Sequence, residues 1–279
     1  MTEAAVRVSA QWLRLREPVD AAARSRALAR MVARDLARGP AVTVVHDLGC
    51  GSGSMGRWLA PLLAGPQHWV LHDRDPDLLA VAAADPPRVA ADGALVTVET
   101  RQGDLTQLGP DDLARASLVT ASALLDVLTA DEVEHVVRCC VAARCPALVT
   151  LPVTGRVALT PADPWDGVVG DAFDDHQRRT AGARTLLGPD AVGDLVERFR
   201  SHGFHVATAA SPWRLGGRCR ALTREWLDGW VAAACEQRPE LAGVGAAYLE
   251  RRTVDVEAGR LGVVVAHLDL LARPPGAAR

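Results

Sequence analysis

The sequence predicts an α/β fold built from βαβ units around a largely parallel sheet. Three observations carry this. Short apolar, β-branched runs alternate with longer amphipathic stretches, which is the pattern of strands joined by crossover helices. The chain has 279 residues, of which 49% are hydrophobic and 23% charged, enough to bury the core of one large domain. A glycine cluster follows directly on the first apolar run, where an open α/β sheet places its ligand crevice.

Taken in order, residues 3–38 read as helices, with Trp12, Leu13 and Leu15 as a first apolar stripe, Pro18 as an interruption and Asp20 as the N-cap of a second helix. Gly39-Pro40 ends that segment, so residues 1–39 form a helical cap and residues 40–279 the main domain. The expected strands are Val42–Asp47, His68–Asp73, Leu95–Thr100, Ser117–Ala121, Ala147–Val153, Phe204–Ala210 and Leu261–Leu271. The expected helices between them are Met55–Leu63, Pro76–Ala83, Ala130–Ala143 and Pro189–His202. Residues 154–187 lack a clear period and read as a long loop or short helical excursion on the substrate side. Residues 216–259 form a two-helix insertion before the last strand, with Trp226 and Trp230 four apart on one helix face.

Composition excludes several classes. All 31 basic residues are Arg, and Lys and Asn are absent. Without Lys there is no Schiff-base enzyme and no P-loop lysine on a triphosphate. A formal net charge of −3 gives no general attraction to nucleic acid or anionic lipid. The six Cys form no C-x-x-C pair and are expected as buried reduced thiols. The start of the chain has no apolar leader, and no run reaches the length of a membrane span, so a soluble cytoplasmic protein is expected. No metal site is expected, and the sequence says nothing of oligomeric state.

The most informative stretch is V-T-V-V-H-D-L-G-C-G-S-G-S-M-G-R-W, Val42 to Trp58. Glycines are needed there because the backbone turns tightly and approaches a ligand closely. The helix that follows points free N–H groups at whatever anionic group binds. Two cofactors compete for this turn. Gly51, Gly53 and Gly56 fit G-x-G-x-x-G with Asp73 about 20 residues on, the fingerprint of a nicotinamide dinucleotide. Asp47 decides against it: a carboxylate just before the first glycine repels a pyrophosphate and suits an ammonium or sulfonium.

With these residues the sequence resembles the class I S-adenosylmethionine-dependent methyltransferases, whose first motif is an acid followed by G-x-G-x-G. Here that is Asp47, Leu48, Gly49, Cys50, Gly51, Ser52 and Gly53. The resemblance implies a doubly wound, seven-stranded, mostly parallel Rossmann-like sheet with the last strand antiparallel. It implies S-adenosylmethionine as cofactor, with Asp73 and the adjoining Arg74 at the ribose, Asp104 and the Leu105 N–H at the adenine, and Thr120 and Ala121 flanking the methionine part. Arg24 is a candidate for the cofactor carboxylate, a solvated helix arginine being its other reading.

Methyl transfer from a sulfonium is an in-line displacement, so no dedicated catalytic motif is obligatory. The [DN]-P-P-[YF] motif of amine methyltransferases is missing after the fourth strand, where T-A-S-A-L-L-D stands, and without Asn there is no Asp-Asn metal pair. A small-molecule acceptor remains, with bacterial secondary metabolism as its expected setting. Candidate acceptor contacts are Trp12 and Arg16 in the cap, and Trp165, Phe173, Gln177, Arg178 and Arg179 in the 154–187 insertion. His176, beside acids able to raise its pKa, is the first candidate for a general base and Asp126 the second. A nicotinamide oxidoreductase and a macromolecular methyltransferase are the alternatives.

Overall fold

The computed structural model describes residues 8–276, so the expected helical start at residues 3–7 lies outside the described residues. Helix α1 (Ala10–Ala23) is capped by Ser9, and α2 (Arg26–Leu36) by Ser25. The break between them is at Arg24 and Ser25, not at Pro18, which lies inside α1. Asp20 is therefore no N-cap. It is buried within α1 and takes two hydrogen bonds from Arg16 and one from Trp213 Nε1.

Strand β1 (Thr43–Leu48) opens the sheet, followed by α3 (Ser54–Leu59), β2 (Gln67–Asp73), α4 (Pro76–Ala84), β3 (Val96–Gln102), β4 (Leu118–Ser122), α5 (Ala130–Ala143) and β5 (Ala147–Thr150). Helix starts follow local chemistry: Asp75 caps α4 with Pro76 in its first turn, and Thr129 with Glu132 makes a capping box on α5. Between β3 and β4 the chain makes only two short 3-10 turns. Beyond β5 come β6 (Val153–Thr160), α6 (Asp166–Gln177), a small hairpin of β7 (Thr180–Ala181) and β8 (Arg184–Thr185), and α7 (Ala191–Ser201). The chain then forms β9 (His205–Ala210), β10 (Trp213–Leu215), α8 (Arg220–Gln237), α9 (Ala242–Glu257) and β11 (Gly262–Arg273).

The main sheet runs β3-β2-β1-β4-β5-β11-β9 with β11 antiparallel to both of its neighbours, the expected doubly wound arrangement. Two strands add to the expected seven. The first half of β11 continues past the edge of β5 and pairs antiparallel with β6 on one side and β10 on the other. The insertion at residues 154–187, expected as a long loop or short helical excursion, is a strand, a helix and a hairpin.

Three cores result. One lies under α2, α3 and α4 around Val45, Trp69 and Leu71; one lies under α5 and α7 around Leu48, Val119 and Val149. The third joins α6, α8 and α9 to β6, β10 and the first half of β11, with Trp230 and Tyr248 buried at its centre. Trp226 stacks on Trp230 at 5.1 Å and packs inside this block. Of the cysteines, Cys50, Cys139, Cys140 and Cys145 are buried and Cys219 and Cys235 half-buried, all as free thiols. Among the described residues no helix is long and apolar enough to cross a membrane.

Candidate functional site

At the carboxyl end of β1 the chain turns through Gly49, Gly51 and Gly53 with φ of +61°, +54° and +83°. These are left-handed values that other residues adopt only under strain. A side chain at Gly49 would also lie 2.8 Å from Leu124, and one at Gly51 would meet Leu13 of α1 at 3.0 Å. The turn is held by Cys50 N–H on His72 O, Gly53 N–H on Cys50 O and Gly51 N–H on Asp73 Oδ2 at 2.8 Å. Cys50 contributes its backbone, while its thiol is buried and pushed up by desolvation.

Asp47 sits beneath this turn, 1% exposed. Its Oδ1 accepts from Thr120 Oγ1 at 2.7 Å, and its Oδ2 has no partner. Burial pushes the carboxyl up to about 7, against the hydrogen bond from Thr120 and the nearby Arg24 guanidinium. A buried carboxylate oxygen without a donor costs free energy until a positive or donor group reaches it. Thr120 therefore orients Asp47. Ala121 points to the other face of the sheet and packs in the core under α5 and α7.

Arg24 is 2% exposed, which overturns its reading as a solvated arginine. It donates to Ser54 O and Oγ at the start of α3 and to Ser122 Oγ at the tip of β4, and its Nε is buried without a partner. Thr150 Oγ1 donates to the same Ser122 oxygen at 3.0 Å. Close by, Asp269 of β11 accepts from Ser25 N–H, Leu151 N–H and Ser211 Oγ, so one buried carboxylate ties the α1–α2 junction to the ends of β5 and β9. Ser54, Ser122 and Asp269 were not legible in the sequence, because a lone serine or a strand acid has no local signature.

Asp73 closes β2 and accepts from both Gly51 N–H and Asp75 N–H, which fixes its carboxylate at the rim of the turn. Arg74 follows it, its carbonyl accepting from Gln102 at 3.5 Å. Asp104 is exposed just past β3 and caps a 3-10 turn through Thr106 N–H and Oγ1. Those bonds hold its carboxyl below the usual carboxylate range. Leu105 is half-buried against the core under α5.

Asp47, Asp73 and Asp104 thus stand at the carboxyl ends of β1, β2 and β3, arranged around one left-handed turn. A family model described as a methyltransferase domain matches residues 45–146, the segment that carries all three acids. Residues 45–146 are a class I methyltransferase domain.

The donor such an enzyme uses is S-adenosylmethionine, and the nicotinamide alternative falls. No curated protein matches the chain by sequence. Among solved structures, the chain is similar to a cyclopropane-fatty-acyl-phospholipid synthase-like protein from Lactobacillus casei, at 14% identity and a TM-score of 0.51, covering 96% of this chain and 95% of that one. It also matches a SAM-dependent methyltransferase from Geobacter sulfurreducens in complex with S-adenosyl-L-homocysteine, at 18% identity and TM-score 0.45, with 94% and 98% covered. At such identities the likeness concerns the fold.

The glycine turn is roofed by α1. Glu17 of α1 takes two hydrogen bonds from Arg57 of α3, at 2.7 and 2.6 Å, and Leu13 lies over Gly51. Trp12 packs 6.4 Å from Trp213 of β10, Arg16 stacks over Trp213 at 4.7 Å, and His267 of β11 lies 5.4 Å from the same ring. His267 Nδ1 is buried without a partner, and burial with the nearby Arg16 pushes the imidazole down to about 4, so it is neutral. Asp126, two residues past the Leu124 that touches Gly49, is half-buried and pushed up by desolvation.

The 154–187 candidates fare differently. His176 faces α8, with Nε2 3.4 Å from Glu236, and its pKa is lowered by burial and Arg179 instead of raised by its acidic neighbours. Arg178 is exposed and pairs with Asp190 through two bonds of 2.6 and 2.9 Å. Arg179 closes the end of α6 on His176 O. Trp165 and Phe173 pack against the third core. Gln177 alone keeps an unpartnered group, a buried Oε1, beside the Gly188 turn. Trp213 and His267 were missed: both depend on β10 and β11 folding back over the site, which no local pattern announces.

Proposed function

We propose that this methyltransferase moves a methyl group from S-adenosylmethionine to a small-molecule acceptor, one consistent with bacterial secondary metabolism. The observation that carries the reading is the unpartnered, buried Asp47 Oδ2 under a left-handed glycine turn. It fits the ammonium of the methionine part and is a poor partner for a pyrophosphate. When bound, the cofactor supplies an activated methyl on a cationic sulfur.

The rest falls to this chain's residues. Asp47 takes the ammonium, and Arg24, beside it, takes the carboxylate by turning from Ser54 or Ser122. Asp73 and Arg74 border the ribose hydroxyls, and Asp104 with the Leu105 N–H meets the adenine edge. The glycine turn lets these groups come close without side chains in the way. The acceptor meets the turn beneath α1, whose packing of Trp12 on Trp213 excludes water and so favours the in-line geometry. Asp126, its pKa raised by burial, is the group able to take a proton there.

A closed roof and a net charge of −3 favour a small acceptor over a nucleic acid. The test is transfer of labelled methyl from S-adenosylmethionine into a cell extract separated by dialysis. Label in the dialysable fraction supports the reading, and label only in protein or RNA overturns it.

A further inference from the structure

The parallel sheet ends at β3, and among the described residues no strand lies beyond it. The two ends of the β2–β3 ladder are Gln67 N–H on Leu95 O and Gly103 N–H on Asp73 O, so odd-numbered residues of β3 bond to β2. The N–H and C=O groups of Val98, Thr100 and Gln102 therefore point outward. An edge of this kind is a template for another strand. Thr97, Glu99, Thr100, Arg101 and Gln102 are all exposed, and among the described residues no helix covers the face carrying Glu99 and Arg101.

On the other face a groove of about 350 Å³ is lined by Pro86, Pro87, Leu95, Val96, Val98 and Thr100. Leu95 and Val89, paired beside it, are 68% and 55% exposed.

We propose that a second copy of this chain pairs with this edge, its own β3 antiparallel to the first and the two-fold axis at Thr100. In that register Thr100 faces its copy and Val98 faces Gln102, each pair exchanging outward N–H and C=O groups. Glu99 then stands opposite Arg101 on both sides of the axis, in the positions where antiparallel side chains approach most closely. Three neighbouring registers fail. An axis at Glu99 or Arg101 sets like charges face to face. An axis at Val98 collides with Arg88 and Val89, which already lie against residues 95–96 through Val96 N–H on Arg88 O. Within one chain Arg101 already bonds Glu99 at 2.7 Å, and in the dimer the same groups bridge between copies.

Charged side chains usually guard a free edge against association. Here they alternate so that they cancel when the strand meets itself, which selects a second copy over an unrelated strand.

The test is sedimentation equilibrium over a range of concentrations. The unaltered protein is expected as a dimer. Arg101→Glu, which sets Glu opposite Glu twice, is expected to raise the dimer Kd by about tenfold or more. The double reversal Glu99→Arg with Arg101→Glu is expected to bring it back. Thr100→Pro removes an outward N–H while keeping the ladder to β2, and is expected to give monomers. Thermal stabilisation by S-adenosylhomocysteine checks that each variant folds. A monomeric unaltered protein, a reversal without effect, or a double reversal no better than the single one overturns the proposal.

Discussion

The two halves of β11 belong to different regions of the molecule. Residues 268–273 lie between β5 and β9 in the sheet that presents the glycine turn, while residues 262–265 lie between β6 and β10 in the block that roofs it. The first region keeps polar groups unsatisfied: Asp47 Oδ2 and Arg24 Nε are buried without partners. The second pairs its buried charges with one another: Asp166 accepts from Tyr248 and Arg252, and Arg252 also donates to Pro161 O, so that Arg252 Nε and Trp230 Nε1 stay unpaired there but no buried carboxylate oxygen of its described residues does. One region is built to be completed by a ligand and the other to hold shape. Stability and binding should therefore separate between them.

The largest effect is expected from Arg252→Ala. It strands Asp166 and opens space under Tyr248, and chemical denaturation should show a loss of about 3 kcal/mol. Binding of S-adenosylhomocysteine should change less than about twofold, because Arg252 touches nothing at the turn. A large loss of binding would join the two regions again.

Asp47→Asn gives the reverse pattern. Cofactor affinity should fall by about a hundredfold, the value of a charged hydrogen bond in a buried site. The ligand-free protein should gain on the order of 2 kcal/mol at pH 8. The sign follows from a carboxyl held at about 7 in the fold, above its ordinary value. Its contribution to stability is fully present below the unfolded pKa and is lost as pH rises through 7. Binding runs the other way: the ligand's ammonium prefers the ionised carboxylate, so affinity should fall up to tenfold per pH unit below 7. Arg24 and Asp73 are the other charged groups acting on Asp47. A flat pH profile between 5 and 8 would contradict this.

Gly51→Ala comes next. Its left-handed φ and the contact with Leu13 should cost about 1–2 kcal/mol of stability and roughly tenfold in binding. The smallest effect is expected from His176→Ala, which removes the half-buried ring's pairings with Glu236 and Arg179 and should leave methyl transfer to the dialysable fraction within about twofold. A collapse of transfer there would move the acceptor to the end of α6.

These differences track what could be read from the sequence. The first region was legible because its signals are local: Asp47 closes an apolar run, three glycines follow, and Asp73 and Asp104 end the next strands. Its helices begin at Asp75 and Thr129, as their side chains demand. The second region was not legible in the same way. Strand β6 alternates only from Arg156 to Thr160, with Val157 and Leu159 turned inward, a run too short to stand out between its Gly and Pro neighbours, and α6 owes its helix to packing on α8. Arg24 looked like a surface arginine because only the fold of α1 against β4 buries it. Asp126 is legible only as an acid that follows β4, two residues past the Leu124 that lies against Gly49. The acids beside His176 in sequence do not set its pKa, because α6 turns the ring toward Glu236 and Arg179.

The central claim is that the buried acid under the glycine turn grips the positive end of S-adenosylmethionine. Titration calorimetry of S-adenosylhomocysteine into the unaltered protein and into Asp47→Asn tests it most directly. The account predicts saturable binding in the first, with proton release on binding below pH 7, and binding weakened by about two orders of magnitude in the second. Equal affinity in the two proteins, or no binding in either, would contradict it.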